Sequence, residues 1–394
     1  MLPARRLPPR ARALLELAAR DRAAARRSAA DLDPDSFAEL VCLAPARARP
    51  ALLDLAPDPA AVIARIPEVD LCTTLDAVGV PEAGWILEHA TPEQITACVD
   101  LDAWQGEDLS PERFGRYLAA AAEAGDATLL RLVRAVDPEV AVLYLTDRVE
   151  VIPPADTEAA GPPEGAVTID GRIYLRALRA GDDLADLLRL LRVLFTEDPP
   201  TYHRLLLAPS YELRSEMEEF ARRWRDGRLE DLGFPPREEA LELIAHLPPE
   251  HLADWSERPT ALETDAWRLP VWLPSLPVEE DARHPIFRAA ARLDRGERQA
   301  FFYAFVAVAN ALARAIGLPL GEADSLPGAV ERAAELASRG LGHIAETRDA
   351  DEVEVLRRVP LARLVRVGAN LERAAGGRPA AGLATAGPGF PEPR

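Results

Sequence analysis

Proline followed directly by an acidic residue recurs along the chain and restricts how the backbone can fold. Many of these pairs precede segments of apolar periodicity, among them Pro57-Asp58, Pro67-Glu68, Pro81-Glu82, Pro92-Glu93, Pro111-Glu112, Pro138-Glu139 and Pro249-Glu250. Proline suits the first helical turn because its missing N–H would be unpaired there anyway. A carboxylate at the same place faces the positive end of the helix dipole. Each pair therefore predicts the start of a helix.

The spacing of these starts predicts an array of short helices. They recur roughly every ten to fourteen residues from Pro45 to Pro92. Isolated helices need about 12–15 residues to be stable in water, so such short helices must stack on their neighbours. The sequence therefore predicts a mainly all-α fold with an N-terminal solenoid-like or armadillo-like array over residues 31–148.

The pattern changes after residue 148. Residues 149–181 are predicted to form a loop and a small β-hairpin near 167–175, because Asp170-Gly171 separates two runs of β-branched and aromatic residues. Helical periodicity resumes over 182–375 and predicts a second helical domain, a bundle. Residues 376–394 are rich in Gly, Ala and Pro and are predicted to be disordered.

The charge of the chain excludes some classes of partner. The formal net charge is -19 and the pI is near 4.9, which argues against binding to nucleic acid or to an anionic membrane surface. Residues 1–30 are nevertheless basic and form a predicted amphipathic arm, with eight arginines: Arg5, Arg6, Arg10, Arg12, Arg20, Arg22, Arg26 and Arg27. This arm is expected either to dock on an acidic surface or to be a solvated helix.

Three further features indicate a cytoplasmic protein without a membrane span. The longest apolar stretch, Phe301–Ala313, is shorter than the roughly 20 residues that cross a bilayer, and it predicts a buried core helix. The three cysteines are widely spaced and include no C-x-x-C pair, which is typical of a reducing compartment. The N-terminal segment has no apolar region of the kind found in signal peptides.

Searches for catalytic motifs give no candidate catalytic residue and no cofactor. The sequence contains no P-loop, dinucleotide-binding, nucleophile-elbow or H-E-x-x-H motif. The segment that starts at Asp100 departs from a calcium loop, since Trp104 occupies the fifth position and Pro111 stands where a glutamate ligand belongs. Asp100 and Asp102 are therefore predicted to be turn or cap residues, and Trp104 to fill a gap in the core.

A helix predicted over residues 210–225 carries two stripes. The apolar stripe, Leu213, Met217, Phe220 and Trp224, is predicted to face a core, and Gly227 is predicted to end the helix. A charged stripe beside it consists of Glu212, Glu216, Glu219 and Arg223. One interpretation is an ion-pair network at the edge of the core, in which Arg223 pairs with Glu219 and Arg222 or Arg225 assists. The other is a weak candidate site for a divalent cation or a polar ligand.

Residues 37–137 contain short proline phrases that resemble the cytosolic N-terminal domain of MgtE-type magnesium transporters. These phrases are Leu43-Ala44-Pro45, Leu55-Ala56-Pro57, Ile66-Pro67-Glu68 and Ala90-Thr91-Pro92-Glu93. The resemblance implies a superhelical fold; in the transporters this is a regulatory domain whose acidic surfaces take magnesium. No transport and no metal ligands are carried over to this chain.

The whole chain resembles an uncharacterised bacterial family without an assigned activity. The segments that carry this resemblance are Ala90–Trp104, Thr168–Tyr174 and Trp224–Pro235. Three functions stay open. The leading expectation is a non-catalytic cytosolic interaction, regulatory or scaffold protein that binds a protein partner. The alternatives are a sensor of a divalent cation or small ligand, and an enzyme of unrecognised type with a polar pocket between Tyr211 and Trp272.

Overall fold

The computed structural model describes residues 7–153, 163–179, 184–263 and 271–376. Over these ranges the fold is mainly all-α, as predicted, and it contains two small sheets. Within the described ranges the chain packs as two units: a first unit up to residue 229 together with residues 321–323, and a second unit from 230 to 320 and from 324 to 376. This division into two units does not test the domain boundaries that the sequence predicts at residues 30, 148 and 181, so they stay predictions.

The first unit is built largely from short helices that begin at or next to proline. They are α1 Pro9–Ala18, α2 Arg22–Ala29, α3 Pro34–Leu43, α4 Arg49–Leu53, α5 Pro59–Ile63, α6 Glu68–Val78, α7 Gly84–Leu87, α8 Pro92–Asp102, α9 Pro111–Ala124, α10 Asp126–Ala135, α11 Pro138–Thr146, α12 Ala185–Glu197, α13 Pro199–Tyr211 and α14 Arg214–Asp231. The proline signals at Pro67, Pro92, Pro111 and Pro138 are thereby confirmed. Pro57 lies two residues before α5, and Pro81 and Pro249 lie in the short 3-10 helices Val80–Ala83 and Pro249–His251. Pro92 and Pro111 are the first residues of α8 and α9, and the side chains of Thr91 and Ser110 cap these helices.

These helices bury their apolar faces mainly against near neighbours along the chain. Helix α6 packs on α8, α8 on α10, and α9 on both α7 and α10. Phe114, Tyr117 and Leu118 of α9 are fully buried in this core. The basic arm is a packed part of the unit, since α1 and α2 contact each other and α1 contacts α3 and α4. Arg22 and Arg26 of α2 form ion pairs with Asp54.

Both sheets lie in the first unit. Strands β1 (Trp104–Gln105) and β2 (Asp108–Leu109) form a hairpin that the sequence did not predict. Strands β3 (Val149–Ile152), β4 (Val167–Thr168) and β5 (Tyr174–Ala177) form an antiparallel sheet in the order β3-β5-β4.

The β4–β5 pairing confirms the predicted hairpin, but its turn is longer than Asp170-Gly171. Thr168 pairs with Tyr174, so residues 169–173 connect the strands. The Asp170 carboxylate accepts hydrogen bonds from the backbone N–H groups of Arg172 and Ile173 and thereby stabilises this longer turn.

The second unit packs longer helices around an aromatic core. Its helices are α15 Arg237–Leu241, α16 Pro285–Ala291, α17 Arg295–Ala315, α18 Ser325–Arg348, α19 Glu352–Arg358 and α20 Leu361–Ala374. Phe301 and Phe305 of α17 stack at a centroid distance of 5.7 Å and contact Phe287 of α16. The apolar stretch Phe301–Ala313 is therefore a buried core helix, as predicted. Across the described ranges, none of the helices combines the length and hydropathy needed to cross a bilayer.

Residues 255–263 and 271–277 contain no helix or strand. The predicted disordered tail, residues 376–394, lies outside the described residues from position 377 onward.

Candidate interaction surface on helix α14

Helix α14 buries a different face from the one that its apolar residues predict. Its buried row is Met217, Ala221, Arg225 and Leu229, each four positions after the last. Of the predicted core stripe, only Met217 is buried, and the prediction is wrong for Leu213, Phe220 and Trp224. The reason is that a buried arginine occupies the row that faces the core, so hydrophobicity alone indicated a neighbouring row. Gly227 does not end the helix, which continues to Asp231.

Arg225 is buried because its guanidinium finds hydrogen-bond acceptors at the end of α8. Its Nε donates to the carbonyl oxygen of Asp100 at 2.8 Å, and its Nη1 donates to that of Gly106 at 3.2 Å. The guanidinium also lies 4.9 Å from the ring centroid of Trp104, within the range of a cation–π contact. Trp104 is buried and fills the core between these elements, as predicted.

Arg228 adds a second anchor one turn further along α14. Its guanidinium donates to both carboxylate oxygens of Asp100, at 2.6 and 3.0 Å, and to both of Asp137, at 3.1 and 2.7 Å. Burial by itself lowers the pKa of Arg228, but the hydrogen bonds and charges of the two carboxylates outweigh it and hold the pKa above its ordinary value. Arg228 is therefore a fixed cation that attaches α14 to the end of α8 and the start of α11.

The two aspartates at the end of α8 are not turn or cap residues as predicted. Both belong to α8 and are buried. Asp100 pairs with Arg228, and Asp102 pairs with Arg113 at 2.9 Å and Arg116 at 3.3 Å. Carboxylates are unfavourable at the negative end of a helix dipole, so these arginines supply the compensating charge.

A side of α14 next to its buried row presents large apolar side chains to solvent. Leu213, Phe220 and Trp224 are 65%, 52% and 61% exposed, and Tyr211 at the end of α13 is 84% exposed. Phe220 and Trp224 share one face of α14, and Leu213 directly precedes its first residue. At about 150–250 Å² for a whole aromatic side chain, Phe220 and Trp224 alone expose on the order of 200 Å². We call these residues, Tyr211, Leu213, Phe220 and Trp224, the α14 surface.

The charged stripe lies beside this surface and is fully in solvent. Glu212, Glu216, Glu219 and Arg223 are all exposed. Arg222, not Arg223, donates to the carboxylate of Glu219, and it also lies 3.5 Å from Glu107.

Within the described ranges, Glu212 and Glu216 form no ion pair, and no three His, Cys, Asp or Glu side chains converge as metal ligands do. Cation binding by the charged stripe therefore stays a prediction from the sequence.

The chain belongs to a family of unknown function, DUF6178, whose model matches residues 26–381. This confirms the expectation of an uncharacterised family. No curated protein and no solved structure matches the chain. The function proposed for this protein therefore rests on contacts within its own chain.

Proposed function

We propose that this protein is a non-catalytic interaction protein that binds a protein partner through the α14 surface. The observation that carries the proposal is the exposure of Phe220 and Trp224 side by side on one helix face. Contiguous exposed apolar side chains are typical of binding sites in soluble proteins. Tryptophan and tyrosine are also the residues that most often dominate the energy of protein interfaces.

The anchoring of α14 supports this role. Arg225 and Arg228 hold the helix in place through hydrogen bonds to Asp100, Asp137 and Gly106. The aromatic side chains are thus presented from a rigid element. A rigid surface loses less conformational entropy when it binds, so more of the contact energy appears as affinity.

The charges beside the surface indicate the chemistry of the partner. Glu212 and Glu216 flank the apolar row and form no ion pair among the described residues. An amphipathic helix with an apolar face bordered by arginine or lysine would match both features. The net charge of -19 further favours a cationic partner over an acidic one.

The test is quantitative capture from a lysate of the source organism with three forms of the tagged protein. These are the unchanged protein, the double variant Phe220→Ser/Trp224→Ser, and the control Phe195→Ser, which removes an exposed phenylalanine from α12. We expect one or more proteins to be retained by the unchanged protein and the control but lost from the double variant. Retention should weaken between 0.1 and 0.5 M salt, since rim charges are screened at roughly these ionic strengths.

An identical set of captured proteins for all three forms would refute the role of the α14 surface. Circular dichroism and thermal melting check that the double variant is folded. Because Phe220 and Trp224 are half exposed, their replacement should change the free energy of unfolding by no more than about 0.5 kcal/mol.

The proposal also includes a cytoplasmic location and the MgtE-like fold of residues 37–137. Stacked short helices, such as α6 on α8 and α8 on α10, support the likeness to the transporter domain. That domain is itself regulatory and non-catalytic, which agrees with an interaction role. A solved structure of residues 31–148 that does not superpose on the transporter domain would refute this part.

A divalent-cation sensor is the alternative that the charged stripe favours. It predicts that the melting temperature of chelator-treated protein rises when one ion is added, and that Glu212→Gln/Glu216→Gln abolishes the rise. A ligand at 100 times its dissociation constant stabilises by about 2.7 kcal/mol. An interaction protein predicts no ion-specific change with magnesium, calcium, manganese or zinc.

A further inference from the structure

A groove of about 790 Å³ lies in the second unit, between α15, α17 and α20. Its volume falls within the roughly 300–1,000 Å³ that small-molecule sites occupy. Small apolar side chains form its floor, namely Ala307, Val308 and Ala311 of α17 with Leu243. Such a floor accommodates an aliphatic side chain and offers it no hydrogen bonds.

Two carboxylates line the groove. Glu239 of α15 and Glu242, one turn later, line it and are exposed. Neither carboxylate forms an ion pair or a hydrogen bond with the described part of the chain. Two carboxylates about one helical turn apart repel each other weakly when no cation neutralises them. A cation placed between Glu239 and Glu242 would remove that repulsion.

Two arginines also line the groove, Arg363 and Arg366 of α20. Arg366 donates to the carbonyl oxygens of Ala245 and His246, at 3.2 and 2.8 Å. These bonds hold its guanidinium in place but leave its charge without a carboxylate partner among the described residues. An anion in the groove would therefore meet an already oriented cation.

We propose that this groove binds a short zwitterionic peptide of two to four residues. The peptide's ammonium group lies at Glu239 and Glu242, its carboxylate lies at Arg366, and an aliphatic side chain packs on Ala307 and Ala311. Carboxylates and arginines in one groove disfavour a phosphate or nucleotide, which the carboxylates repel, and a polyamine, which the arginines repel. This site is independent of the α14 surface.

The test uses the tripeptide Leu-Ala-Leu as the probe, with three capped forms: N-acetylated, C-amidated, and capped at both ends. Binding to the full-length protein is measured by isothermal titration calorimetry. We expect the free tripeptide to bind most tightly and each single cap to weaken binding about fivefold, which is the upper range for a solvent-exposed ion pair. The doubly capped form should bind most weakly.

Variants separate the groove from non-specific binding. Glu239→Gln/Glu242→Gln should bind the free and the N-acetylated peptide equally, because the partner of the ammonium group is lost. The matched control is Glu238→Gln, which changes a neighbouring exposed carboxylate of α15 that does not line the groove. It should retain the full preference for the free tripeptide.

A second kind of variant tests the floor. Ala311→Leu places a larger side chain in the groove and should weaken binding of every form of the peptide. Thermal melting confirms that each variant is folded.

Three results would overturn the proposal: no detectable binding of Leu-Ala-Leu, equal binding of all four forms, or an unchanged preference in Glu239→Gln/Glu242→Gln. None of these results bears on the α14 surface, so failure here is distinguishable from failure of the interaction role.

Discussion

Two glycines determine how closely α18 and α20 approach in the second unit. A Cβ atom added to Gly340 of α18 would lie 2.1 Å from the carbonyl oxygen of Leu364. One added to Gly368 of α20 would lie 2.0 Å from the carbonyl oxygen of Leu336. Real Cβ atoms essentially never lie closer than 3.0 Å to such neighbours, and both obstacles are backbone atoms. An alanine at either position must therefore push the two helices apart by about 1 Å.

The expected cost follows from two opposing effects. Alanine stabilises a helix interior by about 1 kcal/mol relative to glycine. Overpacking of a close contact typically costs about 1–3 kcal/mol, and a rigid backbone obstacle belongs at the upper end of that range. For Gly340→Ala we therefore expect a net loss of about 2 kcal/mol. Gly342→Ala on the same helix meets nothing within 4 Å and should gain about 1 kcal/mol.

Thermal unfolding of the three proteins measures this difference. For units of about 150–250 residues, 1 kcal/mol corresponds to roughly 2–4 °C in Tm. We expect Gly340→Ala to lower the Tm by about 4–8 °C and Gly342→Ala to raise it by about 2–4 °C. If both substitutions shift the Tm in the same direction by similar amounts, the close approach of α18 and α20 is refuted.

Two further substitutions test buried and capping charges. Arg49→Met should lower the free energy of unfolding by about 3–5 kcal/mol in urea titrations, because Arg49 is buried and pairs with the Asp70 carboxylate at 2.7 Å. Arg47→Met changes a nearby exposed arginine and is the control. An effect of Arg49→Met no larger than that of Arg47→Met would contradict the prediction. Hydrogen bonds from Arg357 hold the pKa of Glu297 below its ordinary value of 4.5. The stability from this pair is present above pH 4.5 and is lost as the pH falls further. Glu297→Gln should therefore flatten the pH dependence of unfolding below pH 4.5, and an unchanged slope would argue against the pair.

Local sequence signals predicted the helices of this protein well. Proline at the first helical position and a side-chain cap act within a few residues, so Pro92 with Thr91 and Pro111 with Ser110 could be recognised directly. The hairpin at β4 and β5 has the same local origin, although the hydrogen bonds of Asp170 select a longer turn than the Asp-Gly pair indicates.

The orientation of α14 could not be predicted in the same way. It depends on ion pairs between Arg228 and both Asp100 and Asp137, residues far away in the sequence. Once Arg225 is buried by hydrogen bonds to α8 and the β1–β2 connection, the helix must turn Phe220 and Trp224 outward. A regular row of apolar and small residues four apart, interrupted only by an arginine, is the one local sign of the true buried face.

The central claim is that Phe220 and its neighbours contact a partner protein, and site-specific photocrosslinking in living cells tests it most directly. A benzophenone amino acid replaces Phe220 in one form of the protein and Phe195, also exposed, in the other. The account predicts a discrete crosslinked adduct from position 220 that is absent from position 195. The absence of an adduct at position 220, or the same adducts from both positions, would contradict it.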